Sequence, residues 1–186
     1  MKLYVDQILE EGVSVVAETD KDGWLRQLFE RAMGDSILAG DYLKLDMLAN
    51  LIGAQVACVG NFQYKIHPTC ARCGAVFESE DRVQLIHHYI AGEEAQMSRK
   101  KKSHVEEINV AEDEDFSIYE GKTIDLDPML YEHLLLSQPT IYLCDEDCKG
   151  LCGQCAKNLN EGPCGCAPIV APHPFDALKA LKITKK

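Results

Sequence analysis

The chain has 186 residues, 46% of them apolar, with a formal charge of −11 and a pI near 4.9. That length suits one domain with a true core, or one domain plus a small metal-bound lobe. No apolar run approaches the roughly 18 residues of a membrane-spanning helix. The acidic balance argues against general phosphate-driven binding of nucleic acid, which needs a basic surface.

The opening stretch MKLYVDQILEEG has no apolar signal core and no Arg/Ser-rich transit character, and reads as the first strand of a mature cytosolic protein. KLYVDQI and VSVVAET are extended segments. GWLRQLFERAMG places Trp24, Leu25, Leu28, Phe29 and Ala32 at helical spacing, with Gly34 as the stop. DYLKLDML then alternates Leu43, Leu45 and Met47 against Lys44 and Asp46. NFQYKIH does the same with Phe62, Tyr64 and Ile66 inward. RVQLIHHYI is a third strand, and FSIY and KTIDL are shorter ones. The pattern predicts a meander of antiparallel strands. The long charged stretch from Ala91 to Ser117 reads as a loop. DPMLYEHLLLSQP predicts a helix with Asp127 as N-cap, Pro128 in the first turn and Pro139 as the stop. The closing PHPFDALKALKITKK carries Phe175, Leu178 and Leu181 as an apolar stripe, enough for a short docking helix.

The chemistry lies in the cysteines. There are nine, an odd number, with no secretion signal, so they read as thiols and not as a disulfide framework. CARC supplies Cys70 and Cys73, and CDEDCKGLCGQCAKNLNEGPCGC supplies Cys144, Cys148, Cys152, Cys155, Cys164 and Cys166. A Cys-x-x-Cys turn aims two sulfurs at one point about 2.3 Å from each, which suits zinc. Eight such residues divide into two sets of four. One division takes Cys70, Cys73, Cys144 and Cys148 for one ion and Cys152, Cys155, Cys164 and Cys166 for a second. Another joins the two Cys-x-x-Cys turns, Cys70, Cys73, Cys152 and Cys155, as a ribbon; a third recruits His67 or His87. All-cysteine sets are closed, so two structural zinc ions are expected. Cys58, inside the apolar AQVACVG, reads as a small buried hydrophobe. The adjacent His87 and His88 point to opposite faces of a strand and do not share a metal.

Arg99, Lys100, Lys101 and Lys102 form the one strong basic run and the candidate RNA contact. No nucleophile elbow, phosphate-binding loop or His-Glu metal motif is present, so no enzymatic activity is expected. A zinc-thiol redox sensor, releasing zinc as disulfides form, is the alternative.

CARCGAVF, then GLCGQCAKNLN within the cysteine stretch, then PHPFDALKAL, together resemble the DUF177 or YceD-like family, the large ribosomal RNA subunit accumulation proteins. GLCGQCAKNLN is close to the family pattern GLCxxCGxNLN, and the likeness runs from about Asp41 to the C-terminus. The resemblance implies a bacterial, cytoplasmic, non-enzymatic factor of ribosome biogenesis. Its implied partners are large-subunit rRNA, a precursor particle or a basic ribosomal protein, with no membrane. At one position the chain departs from the pattern: Ala156 stands where the family commonly has Gly, and a less tight turn is expected there. The fold expected is α+β, an antiparallel sheet, barrel-like in one reading, with a few helices and a Cys-rich zinc lobe. The segments are residues 1–143 for sheet and helices, 144–168 for the lobe, and 169–186 for a docking helix and basic tail.

Overall fold

Alternation of apolar and polar residues builds the centre of the fold. The computed structural model describes residues 1–8, 11–34, 37–53, 55–92 and 116–167. In it, strands β1 (Lys2–Tyr4) and β2 (Val13–Glu18) precede helix α1 (Gly23–Met33). Strands β3 (Tyr42–Ile52), β4 (Gln55–Ile66) and β5 (Ser79–Ala91) follow, then β6 (Phe116–Tyr119), β7 (Thr123–Asp125) and helix α2 (Asp127–Leu136). The main sheet has the order β2-β3-β4-β5-β6. Its first four strands form the antiparallel meander, with Leu45 opposite Phe62 and Gly60 opposite Leu85.

Two features depart from a simple meander. β6 runs parallel to β5, pairing His88 with Phe116 and Ala91 with Tyr119. A parallel neighbour needs a crossover rather than a hairpin, and the connecting residues 93–115 lie outside the described ones. β7 leaves the main sheet and pairs with β1 in a separate two-stranded ribbon. Among the described residues β2 and β6 are unpaired edges, so the sheet is open and not a barrel.

One face of the sheet carries the core. Val15, Ala17, Leu43, Leu45, Met47, Cys58, Phe62, Tyr64, Leu85 and Tyr89 are buried against Leu25, Leu28 and Phe29 of α1 and Met129, Leu130 and Leu134 of α2. This is a two-layer α+β arrangement, in which each element buries its one apolar face. Among the described residues no element covers the other face, and Leu48, Val59 and Ile86 lie in one cross-strand row on it, all exposed. Gly60 lets β4 lie close over β3: a Cβ there would collide with the backbone oxygen of Asp46 and meet Met47 Cα at 2.5 Å. No helix among the described residues is long and apolar enough to cross a membrane.

Asp127 does not cap α2 as expected. It is the first helical residue; its amide donates to Asp125 Oδ1 at 3.1 Å, and its carboxylate accepts from Arg31 Nη2 of α1 at 2.6 Å. Its charge still lies in the first turn, where the helix dipole favours an acid, but its contact joins the two helices. The expected docking helix within 169–186 lies outside the described residues.

Candidate metal centres

The hairpin between β4 and β5 ends in the first Cys-x-x-Cys turn. Thr69 and Val76 form the last bridge of the hairpin, and the turn between them is closed by two backbone bonds. Gly74 N donates to Cys70 O at 2.9 Å, and Cys70 N to Ala75 O at 2.8 Å. Gly74 has φ +72°, the left-handed conformation the bend requires. The second Cys-x-x-Cys turn repeats this frame bond for bond. Leu151 bridges Asn158, Ala156 N donates to Cys152 O at 2.9 Å, and Cys152 N donates to Lys157 O at 2.8 Å. Ala156 has φ +56° and is the sole non-glycine residue with positive φ among those described. The expected relaxation at Ala156 is therefore absent: the turn is as tight as at Gly74, and the alanine bears the strain.

The chain after α2 returns to the hairpin tip. Ala71 N donates to Tyr142 O at 2.9 Å. The Arg72 guanidinium donates through Nη1 to Glu146 O at 3.0 Å and Cys148 O at 3.1 Å. Gly150, with φ +73°, packs against Arg72, whose backbone oxygen would lie 3.1 Å from a Cβ there. These contacts bring Cys144 and Cys148 over Cys70 and Cys73. The four sulfurs lie within 4.8 Å of one another, with Cys70 to Cys148 at 3.8 Å and Cys73 to Cys144 at 3.6 Å. Cys70, Cys73 and Cys148 are buried, with Phe77 and Leu143 beside them.

The sulfurs of Cys152, Cys155, Cys164 and Cys166 form a second group, also within 4.8 Å of one another. It is more open: Cys155 is exposed and the others half-buried. Gln154 N donates to Cys152 Sγ at 3.4 Å. The turn expected between its halves is a short 3-10 segment, Leu159–Glu161. The ribbon pairing of Cys70 and Cys73 with Cys152 and Cys155 does not occur in the structure. His67 is occupied elsewhere, 2.5 Å from Asp41 Oδ1. His87 is in the core, with Nε2 3.0 Å from Ser117 Oγ and Nδ1 3.3 Å from His133 Nε2. Cys58 is fully buried in β4, and burial pushes its thiol up to about 12. Arg99, Lys100, Lys101 and Lys102 lie outside the described residues.

Both groups suit a tetrahedral, thiolate-binding ion. Bonds of about 2.3 Å to a central ion place sulfurs roughly 3.8 Å apart, and the two distances in the first group match that. The sulfurs are also electrostatically divided. The amide of Cys144 leads the hydrogen bonds that lower Cys70 to about 6, and the Asn160 side chain lowers Cys148. Hydrogen bonding to Cys73, then burial, pushes Cys144 up to about 12. The second group repeats the division. The amides of Cys155 and Gln154 lower Cys152 to about 6, while hydrogen bonding to Cys155 pushes Cys166 up to about 12. Each group thus combines a ready thiolate with a thiol that keeps its proton while a neighbouring thiolate needs it. A divalent cation displaces such protons, because thiolate is the binding form. Each group could hold one metal ion.

Two supports of these groups escaped the sequence reading, Arg72 and Asn160. Neither residue type signals metal chemistry; only their place beside Cys-x-x-Cys and in KNLN could have drawn attention.

No curated protein and no solved structure matches the chain significantly. A family model described as large ribosomal RNA subunit accumulation protein YceD matches residues 59–182, a span that begins in β4 and contains all eight clustered cysteines. That match extends over more than half of the sequence, and the chain belongs to the YceD family of large ribosomal RNA subunit accumulation proteins.

Proposed function

We propose that the protein is a non-catalytic factor of ribosome biogenesis, cytoplasmic and bacterial. It would bind large-subunit rRNA, a ribosomal protein or a precursor particle, and so allow that rRNA to accumulate. The carrying observation is the family match over residues 59–182. Two zinc ions, one per cysteine group, serve as staples. The donor chemistry supports this: four sulfurs saturate a tetrahedral ion and leave no open position to activate water. Eight thiolates against two divalent ions would also make the formal charge more negative than −11, which favours a basic ribosomal protein or a precursor particle over free RNA.

Co-sedimentation of tagged protein with ribosomal precursors, followed by crosslink mapping, tests the reading. Association with large-subunit precursors is the expected result. Its absence, with unchanged large-subunit rRNA in cells lacking the protein, overturns it. Neutral replacements of Arg99, Lys100, Lys101 and Lys102 should weaken that association at moderate salt; unchanged association removes the basic run as a contact. Purified reduced protein should contain about two zinc ions per chain, and metal content near zero refutes the staples.

A further inference from the structure

The two cysteine groups are distinct sets of ligands, but a single side chain joins them. Asn160 lies in the loop between Cys155 and Cys164, two members of the second group. It reaches into the first. Its Nδ2 donates to Cys148 Sγ at 3.3 Å, an ordinary distance for an amide on a thiolate, and its Oδ1 accepts from Lys149 N at 2.8 Å. Beside it, Leu159 N donates to Gly150 O at 2.9 Å. Within the loop, Asn158 Oδ1 accepts from Asn160 N at 3.1 Å.

The geometry points to Asn160 as a positioning residue that couples the two groups, so that metal in one raises the affinity of the other. This rests on the metal reading above and extends it. Metal in the second group fixes Cys155 and Cys164 at the two ends of the loop. A fixed loop presents the Asn160 amide to Cys148 without an ordering cost at the moment the first ion binds. An empty second group frees those ends, and the first group then loses a hydrogen bond to one of its ligands. Such outer contacts to a metal ligand are worth on the order of tenfold or more in affinity. Coupling of equilibrium affinities is reciprocal, so metal in the first group tightens the second by the same factor.

The test is zinc affinity of the full-length chain, measured by competition with a chromophoric chelator. Alkylation of each cysteine, read by mass spectrometry, assigns each loss to its group. Cys155→Ser disables the second group and should weaken zinc at the first by about tenfold. Cys73→Ser disables the first and should weaken the second by the same factor. In Asn160→Ala both groups should weaken in the doubly loaded protein, and adding either cysteine substitution should then cost the other group nothing further. Asn160→Asp keeps the acceptor for Lys149 but turns a carboxylate toward the Cys148 thiolate, so it should be weaker than Asn160→Ala at the first group. With cobalt in place of zinc, loss of the amide bond should move the sulfur-to-metal charge-transfer band of the first group to lower energy. Affinities in Asn160→Ala within twofold of the parent, or coupling that survives in it, overturn the inference. Parental affinity in Asn160→Asp overturns the thiolate contact as its basis. A parent chain that binds no zinc overturns the metal reading, and the coupling with it.

Discussion

Ala156 and Cys58 show how far single side chains depart from what their types suggest. Alanine in the left-handed region costs roughly 1 kcal/mol or more relative to glycine, because its Cβ crowds the next carbonyl. Ala156 adopts that conformation at φ +56°, held by the bonds that close the second Cys-x-x-Cys turn. Ala156→Gly should therefore relieve strain, offset in part by the greater freedom of glycine in the unfolded chain. The expected net is a gain of about 0.5 kcal/mol, seen as a few-fold tighter zinc at the second group and none at the first. Ala156→Val should do the reverse, since a β-branched residue fits that region worse. Cys58 is the opposite case, a cysteine that is no ligand. Burial holds its thiol near 12, so it carries no thiolate at neutral pH, and it lies among Phe62, Leu85 and Tyr89 of the core cluster. Cys58→Ala should leave zinc stoichiometry unchanged while lowering stability to denaturant by about 1–2 kcal/mol from the cavity it leaves.

Among the elements, β3, β4 and β5 were legible because half-burial forces a period of two, and Leu43, Leu45 and Met47 are all buried as that period requires. The direction of β6 was not legible. FSIY alternates equally well parallel or antiparallel to a neighbour, and the choice lies in a crossover that periodicity does not encode. Spacing alone brought out the eight clustered cysteines as candidates. It left the ribbon division open, because the deciding contacts, Ala71 to Tyr142 and Arg72 to Glu146 and Cys148, are made across the fold. The two cysteine groups also share a pH dependence. Without metal, Cys144 and Cys166 hold their protons up to about 12, and binding as thiolates must expel them. Zinc loading near neutral pH should therefore release at least one proton per group. Affinity should rise with pH, by about tenfold per pH unit for each proton displaced, and fall in acid. Indicator dye in weak buffer during a zinc titration measures the release; none would mean that the sulfurs are already fully ionised.

At the scale of the whole molecule, the question is whether metal holds the entire fold or one end of it. A structural zinc contributes roughly 10 kcal/mol or more in small metal-bound domains, as much as the whole stability of many proteins. The sheet, however, has its own support. Its core cluster from Leu3 to Leu134 contains none of the eight clustered cysteines, and the buried Cys70, Cys73 and Cys148 form a separate cluster. The ladder from Ile66–Ser79 to Gln55–Ile90 is complete before the hairpin reaches Cys70, and α1 and α2 cover the sheet through their own apolar faces. A metal ion in each group would thus fix the hairpin tip and residues 144–167, while β2 to β5 stand on apolar burial. Chelation should then act locally. Far-UV dichroism should retain most of its strand signal, and amide exchange protection should persist at Leu45, Phe62 and Leu85. Protection should be lost at Cys70, Gly74, Cys152 and Ala156, whose amides close the two turns. Cooperative loss of all these amides on chelation would make the metal a condition for the whole fold. Loss confined to the turns would separate the sheet from the cysteine-rich segment, and binding of precursor particles by the chelated protein would then show which of the two meets the ribosome.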